Sequence, residues 1–184
     1  MKRIIITLTA LMIAAVCAFA QETMVEDVSG WAQEWKHAFS KDGKKAWKTE
    51  YTLRYRAGLF TNGPMFTAGI RVDEKRTIGL FTGLEELWDD ATPANIYSAR
   101  LGFTFRRYWH MGKRKTFAFY SDLYAGAGYI YKVTSPDSYA HKGDVLFVGG
   151  WQPGIRVRCY KNLHIFLGPT LATDCLGLHL GIGF

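Results

Sequence analysis

Ser135, Asp137, Ser138 and His141 fall within seven residues of one another. Between them they offer the side chains from which a nucleophile, a base and an orienting carboxylate are made. The stretch that carries them, Thr134 to Gly143, is polar and punctuated by Pro136 and Gly143, so it reads as a loop. In such a loop these residue types are ordinarily solvated surface, and no catalytic residue is assigned. The five histidines are scattered along the chain without the spacing of a metal site, so neither a metal nor a cofactor is expected. Gly126-Ala127-Gly128 and Gly149-Gly150 lie inside alternating segments, where glycine relieves crowding or permits curvature, and they do not form a phosphate-cradling loop.

A second group of chemically capable residues is basic. Lys48, Arg54, Arg56, Arg71, Arg100, Arg106, Arg156 and Arg158 all fall on one parity of alternating segments, with Glu50, Glu85 and Asp122 as the acids on the same side. If that side faces a narrow interior, these groups must interlock as ion pairs and hydrogen bonds. The excess of arginine then calls for water contact or a bound anion.

What positions them is a chain that alternates almost throughout. In the last eleven residues, Leu176, Leu178, Leu180, Ile182 and Phe184 occupy one parity, and Gly177, His179, Gly181 and Gly183 the other. A period of two is a strand. Large apolar residues on one side and small or polar ones on the other suit a strand with lipid outside and a crowded lumen within. Leu180, Ile182 and the closing Phe184 resemble the C-terminal signal by which Gram-negative outer-membrane barrels are recognised by the barrel assembly machinery.

At the other end, Met1-Lys2-Arg3, an apolar run and Ala18-Phe19-Ala20 read as a signal peptide over residues 1–20. Its removal leaves 21 of the 23 basic residues against 16 acidic ones, a net of +5, which suits anionic lipid and calls for no nucleic acid. Residues 21–46 carry a helical stripe of Val28, Trp31, Trp35 and Phe39, as expected of an amphipathic helix at a membrane interface or against a barrel end. Cys159 and Cys175 are expected to stand too far apart to bridge.

Residues 47–184 then divide into eight alternating segments. The first runs from Trp47 to Leu59, Thr61-Asn62-Gly63-Pro64 reads as a turn, and the second covers about Met65 to Val72. The third covers Thr77 to about Leu84, followed by a longer acidic loop, Glu85 to Asn95. The remaining segments begin near Ile96, Thr116, Asp144, Leu163 and Leu176. Segments five and six are longest, and their extra length is expected to stand out as a ribbon around residues 134–143, where a surface partner could pair with an edge. Trp47, Tyr108, Trp109, Phe117, Tyr160 and Phe184 at one end, and Tyr129, Tyr131 and Tyr139 at the other, fit interfacial girdles. A soluble sandwich of alternating strands is the main competing architecture.

The layout from Trp47 to Phe184 resembles the small Gram-negative outer-membrane barrels of the OmpA/OmpX shape. That resemblance implies an all-β, eight-stranded antiparallel up-and-down transmembrane barrel, with both chain ends on the periplasmic side and lipid and lipopolysaccharide around it. It speaks for the fold and not for the role; a structural or surface-interaction role is the expectation, and the filled lumen disfavours an open porin. The combination of barrel, N-terminal helix and prolines on facing strands is also similar in layout to the lipid A palmitoyltransferase family. There, weakened strand pairs admit a lipid chain sideways; here Pro153 and Pro169 would face each other across strands six and seven, so a lipid-modifying or lipid-binding barrel is the alternative. The His-x-Ser pair of the lipid A deacylase barrels has no counterpart, since His164 precedes Ile165-Phe166 and His179 precedes Leu180-Gly181.

Overall fold

The computed structural model describes residues 28–44, 47–59, 61–89, 94–111, 116–136, 138–173 and 175–184. The signal-peptide expectation lies outside them. The chain divides into two units, residues 1–45 and residues 46–184. Within the first, a helix spans Val28–Ala38, and Trp35 stacks on Phe39 with ring centroids 5.7 Å apart.

The second unit is one sheet closed on itself. Eight strands, β1 (Lys48–Gly58), β2 (Thr61–Arg71), β3 (Arg76–Asp89), β4 (Ala94–Met111), β5 (Phe117–Val133), β6 (Val145–Tyr160), β7 (Leu163–Ala172) and β8 (Leu176–Gly183), pair in sequence order. β1 closes the ring against β8, with Tyr55 opposite Leu180 and every pairing antiparallel. Closure leaves no sheet edge, and it separates the two parities into an inside and an outside. The two-sheet sandwich is thereby excluded.

Arg54, Arg56, Arg106, Tyr108, Tyr120 and Phe166 are among the largest fully buried side chains, whereas Leu101, Phe103, Phe147 and Leu178 on the outer wall are 62 %, 71 %, 70 % and 61 % exposed. The apolar surface is therefore outside and the arginines within, the inverse of a water-soluble domain.

Several local expectations change. Thr61-Asn62-Gly63-Pro64 is not a turn but the start of β2; the chain reverses before it, between Gly58 and Thr61. Proline fits there because the β2–β3 ladder steps from Asn62↔Glu86 to Met65↔Gly83, and the pairs between, where Pro64 has no N–H to donate, are skipped. Most of the acidic stretch Glu85 to Asn95 is strand, with only residues 90–93 lying between β3 and β4. Val72, included in the second segment, lies after the end of β2 and is buried. Tyr108, assigned from its position to a girdle, is wholly buried in the lumen, on the same parity as Arg106.

The protruding ribbon is also redistributed. The β5–β6 ladder stops at Tyr129↔Val145, while β3–β4 continues to Asp89↔Ala94 and β4–β5 to Ile96↔Val133. The tall part of the wall is thus β3 to β5. Its inner face carries Leu87, Ile96 and Ile130, and the following loop folds back so that Ala140 packs against them. An apolar inner face standing above the rim needs cover, and the loop supplies it. Gly143, in the left-handed region at φ 103°, lets the return turn form, and its N–H donates to Ile130 O at 2.9 Å.

Candidate functional site

The inward side chains of β1 to β6 form a polar network with one cluster around Asp122 and Glu50 and another around Glu85. Asp122, fully buried on β5, accepts from Arg106 Nε at 3.1 Å and Nη2 at 2.7 Å, and also from Arg54 and Thr104. Arg54 donates from Nη1 to Gln152 Oε1 at 2.6 Å. Toward the end where β1 begins, Glu50 binds Arg106 and Arg71 and accepts from the Tyr108 hydroxyl. Toward the opposite end, Glu85 is shared by Arg56 and by Arg100, the latter with Nη1 at 2.6 Å, while Arg56 also donates to Tyr124. Each carboxylate thus serves two guanidinium groups, the arrangement that makes burial of both charges tolerable.

Aromatic rings fill the space between these pairs. Arg106 lies 5.1 Å from the Phe166 centroid and Arg56 5.4 Å from that of Tyr124. Tyr120 packs edge-on to Phe166 at 5.3 Å and hydrogen-bonds His179 Nε2, whose Nδ1 lies 3.0 Å from Thr170 Oγ1. The lumen is therefore closed across its middle by packed side chains, and an axial pore would have to displace them.

Of the basic and acidic residues expected inside, Glu50, Arg54, Arg56, Arg71, Arg100, Arg106 and Asp122 are brought into this network. Arg156 is buried beside Tyr108, whereas Lys48 and Arg158 are exposed at the mouth. Glu85 proves as central as the other two acids. Tyr108, Tyr120, Tyr124, Gln152, Thr170 and His179 complete the interior; all sit on the inward parity, a signal that was available at each position.

Pro153 and Pro169 lie on β6 and β7. The ladder between these strands runs from Trp151↔Leu171 to Ile155↔Leu167, so two further steps from either side place the two prolines opposite each other, and the intervening bridges are missing. The wall is nevertheless shut there: Gly154 and Gly168 bring the backbones so close that a Cβ on Gly168 would stand 2.0 Å from Pro153 O. The neighbouring inward residues Gln152 and Thr170 are buried, and Thr170 is joined through His179 to Tyr120.

The loop residues differ in their surroundings. Ser138 is 5 % exposed and its Oγ accepts from Ala140 N at 3.4 Å. The His141 side chain is 74 % exposed, with Asp144 Oδ2 3.8 Å from Nδ1. Ser135 is half-buried, and Asp137 lies outside the described residues. Leu180, Ile182 and Phe184 point outward at 58 %, 46 % and 59 % exposure. In the helix, Trp35 is half-buried and Phe39 exposed; the Trp31 side chain lies outside the described set.

Among the described residues no group of three or more His, Cys, Asp or Glu could hold a metal ion. Cys159 is exposed, Cys175 is buried, and both are free thiols. No known protein-family signature matches the chain, and no curated protein matches it.

Proposed function

We propose that this chain is a small outer-membrane β-barrel protein of Gram-negative type, serving as a structural or surface-interaction element and not as an open channel. One observation carries the reading: a closed wall whose outward parity is apolar on every strand surrounds an interior of paired arginines and carboxylates. In water, a continuous band that includes Leu53, Leu80, Phe103, Leu123, Phe147, Ile165 and Leu180 would drive aggregation. In hydrocarbon the same band is solvated, and a closed barrel satisfies its backbone groups internally. Tyr129, Tyr131 and Tyr139 at one end, and Phe117, Tyr160 and Phe184 at the other, suit the two interfaces. The short connection at Lys161–Asn162 and the longer 134–144 loop suit chain ends on the periplasmic side and the loop outside.

The test is fractionation of cells expressing the full chain, followed by planar-bilayer conductance of the purified protein. The expected result is recovery with the outer membrane, slower gel migration after boiling, and no steady ohmic conductance. Recovery of the mature chain in the soluble periplasm would sink the proposal.

A lipid-binding or lipid-modifying barrel is the second reading, favoured by an apolar recess of about 240 Å³ at the loop end. Leu87, Ile96, Ile130, Ala140 and Val148 form its inner side, with Phe147 and Thr173 at its edge, where β6 runs past the end of β7. Mass spectrometry of lipid A from cells with and without the gene tests catalysis; an unchanged acyl pattern excludes it.

A further inference from the structure

No interior carboxylate among the described residues forms a direct ion pair with Arg156, on which Glu50 acts only at longer range. Among the described side chains inside the barrel, Glu85 serves Arg56 and Arg100, Asp122 serves Arg54 and Arg106, and Glu50 serves Arg106 and Arg71. Arg156 points inward from β6 at 3 % exposure, with its guanidinium 4.3 Å from the Tyr108 centroid, and its Nη1 has no hydrogen-bond partner among the described residues. The Tyr108 ring and its hydroxyl, which also bonds Arg156, offset only part of the desolvation of a cation.

Two further buried nitrogens at the same end of the lumen share that condition, Arg71 Nε and His164 Nδ1. The Arg71 guanidinium lies 5.1 Å from the same Tyr108 ring. His164 is opposite Arg158 in register, two residues along β7 from Phe166, the partner of Arg156. It is within electrostatic reach of Arg156, Arg71 and Arg158, three cations against the single Glu50 carboxylate. Buried polar atoms are nearly always hydrogen-bonded, so three orphans in one positively charged region need a common explanation.

We propose that this end of the lumen binds a phosphate-type oxyanion, anchored by Arg156, with Arg71 and His164 as further donors and Arg158 at the entrance. A tetrahedral anion presents several acceptor oxygens, which suits donors arriving from β2, β6 and β7, and guanidinium forks match its geometry. A lipid headgroup phosphate and free inorganic phosphate share this chemistry. The inference depends on the closed wall and its contents, not on insertion of the barrel in lipid, so it stands or falls apart from the reading above.

The experiment uses the full chain folded in dodecyl maltoside, with thermal unfolding followed through the strand signal in circular dichroism. Inorganic phosphate is titrated against chloride at constant ionic strength, and phosphatidic acid is added in a parallel series. Binding to the folded state raises the midpoint logarithmically once the ligand exceeds its half-saturating concentration, by roughly 5 °C or more at about a hundredfold excess. Arg156→Met abolishes the response, and Arg156→Lys, which keeps the charge but loses the fork, raises the half-saturating concentration about tenfold. A response to phosphate identifies the free ion, one confined to phosphatidic acid identifies the headgroup, and either supports the site. The proposal is overturned if neither ligand shifts the wild-type midpoint, or if Arg156→Met responds like wild type. Should Arg156→Met not fold, an unaltered half-saturating concentration in Arg156→Lys overturns it equally.

Discussion

Arg106 and Asp122 stand opposite each other on β4 and β5 and are joined by two hydrogen bonds to one carboxylate oxygen, at 3.1 and 2.7 Å. The same oxygen also takes Arg54 from β1, across the barrel. The pair ties neighbouring strands locally and, through Arg54, ties opposite walls together.

Asp122→Asn removes the charge that two buried guanidinium groups share, and destabilisation of about 3–5 kcal/mol is expected. Urea unfolding in lipid vesicles, read by tryptophan fluorescence, measures it. Adding Arg54→Leu to Asp122→Asn should recover part of the loss, because one uncompensated cation is then gone. A strictly additive double variant would show that the two residues do not act together.

At Pro153 and Pro169, the double replacement by valine restores two backbone donors in an outward, β-compatible position. Each new hydrogen bond contributes about 1 kcal/mol, while losing each proline frees the unfolded chain by a similar amount, so global stability should change by less than about 1 kcal/mol. The local effect is larger: amide exchange at residues 152–154 and 168–170 should slow by roughly tenfold. Unchanged exchange would mean that the prolines are not what interrupts this ladder.

Phe103 sits in the middle of β4 and is 71 % exposed, and Tyr160 at the end of β6 is 65 % exposed. In vesicles, Phe103→Arg should lower stability by roughly 2–4 kcal/mol and Tyr160→Arg by roughly 0–1 kcal/mol, since a charge is penalised by its depth in hydrocarbon. Denaturant titration of both variants gives the profile. Equal effects at the two positions would argue against a lipid environment.

Ala140 is the loop residue seated against Leu87, Ile96 and Ile130. Ala140→Glu cannot bury its charge there, so the loop should lift and trypsin should cleave after Lys142 at least tenfold faster. The barrel below should keep its unfolding midpoint in urea within about 0.5 kcal/mol equivalent, because its ladders do not include Ala140. Equal protease resistance in the two proteins would show that the loop is held elsewhere.

Strand number and parity were legible in the chain, because alternation is imposed residue by residue by the pleat and needs no knowledge of distant partners; parity alone did not show that Arg158 reaches the open mouth. Tyr108 could have been placed by the same reasoning, since it shares the parity of Arg106 on one uninterrupted strand. The Thr61–Pro64 stretch was misleading for a different reason. Turn-type residues enter a strand when the missing N–H falls where the ladder can skip it, and that depends on the register with β3. Which acid serves which arginine was likewise undetermined along the chain. Arg54 meets Gln152 at 98 residues' separation, and Glu50 meets Arg106 at 56. Those distances collapse only when β1 closes on β8, because curvature and closure, unlike alternation, are properties of the whole sheet.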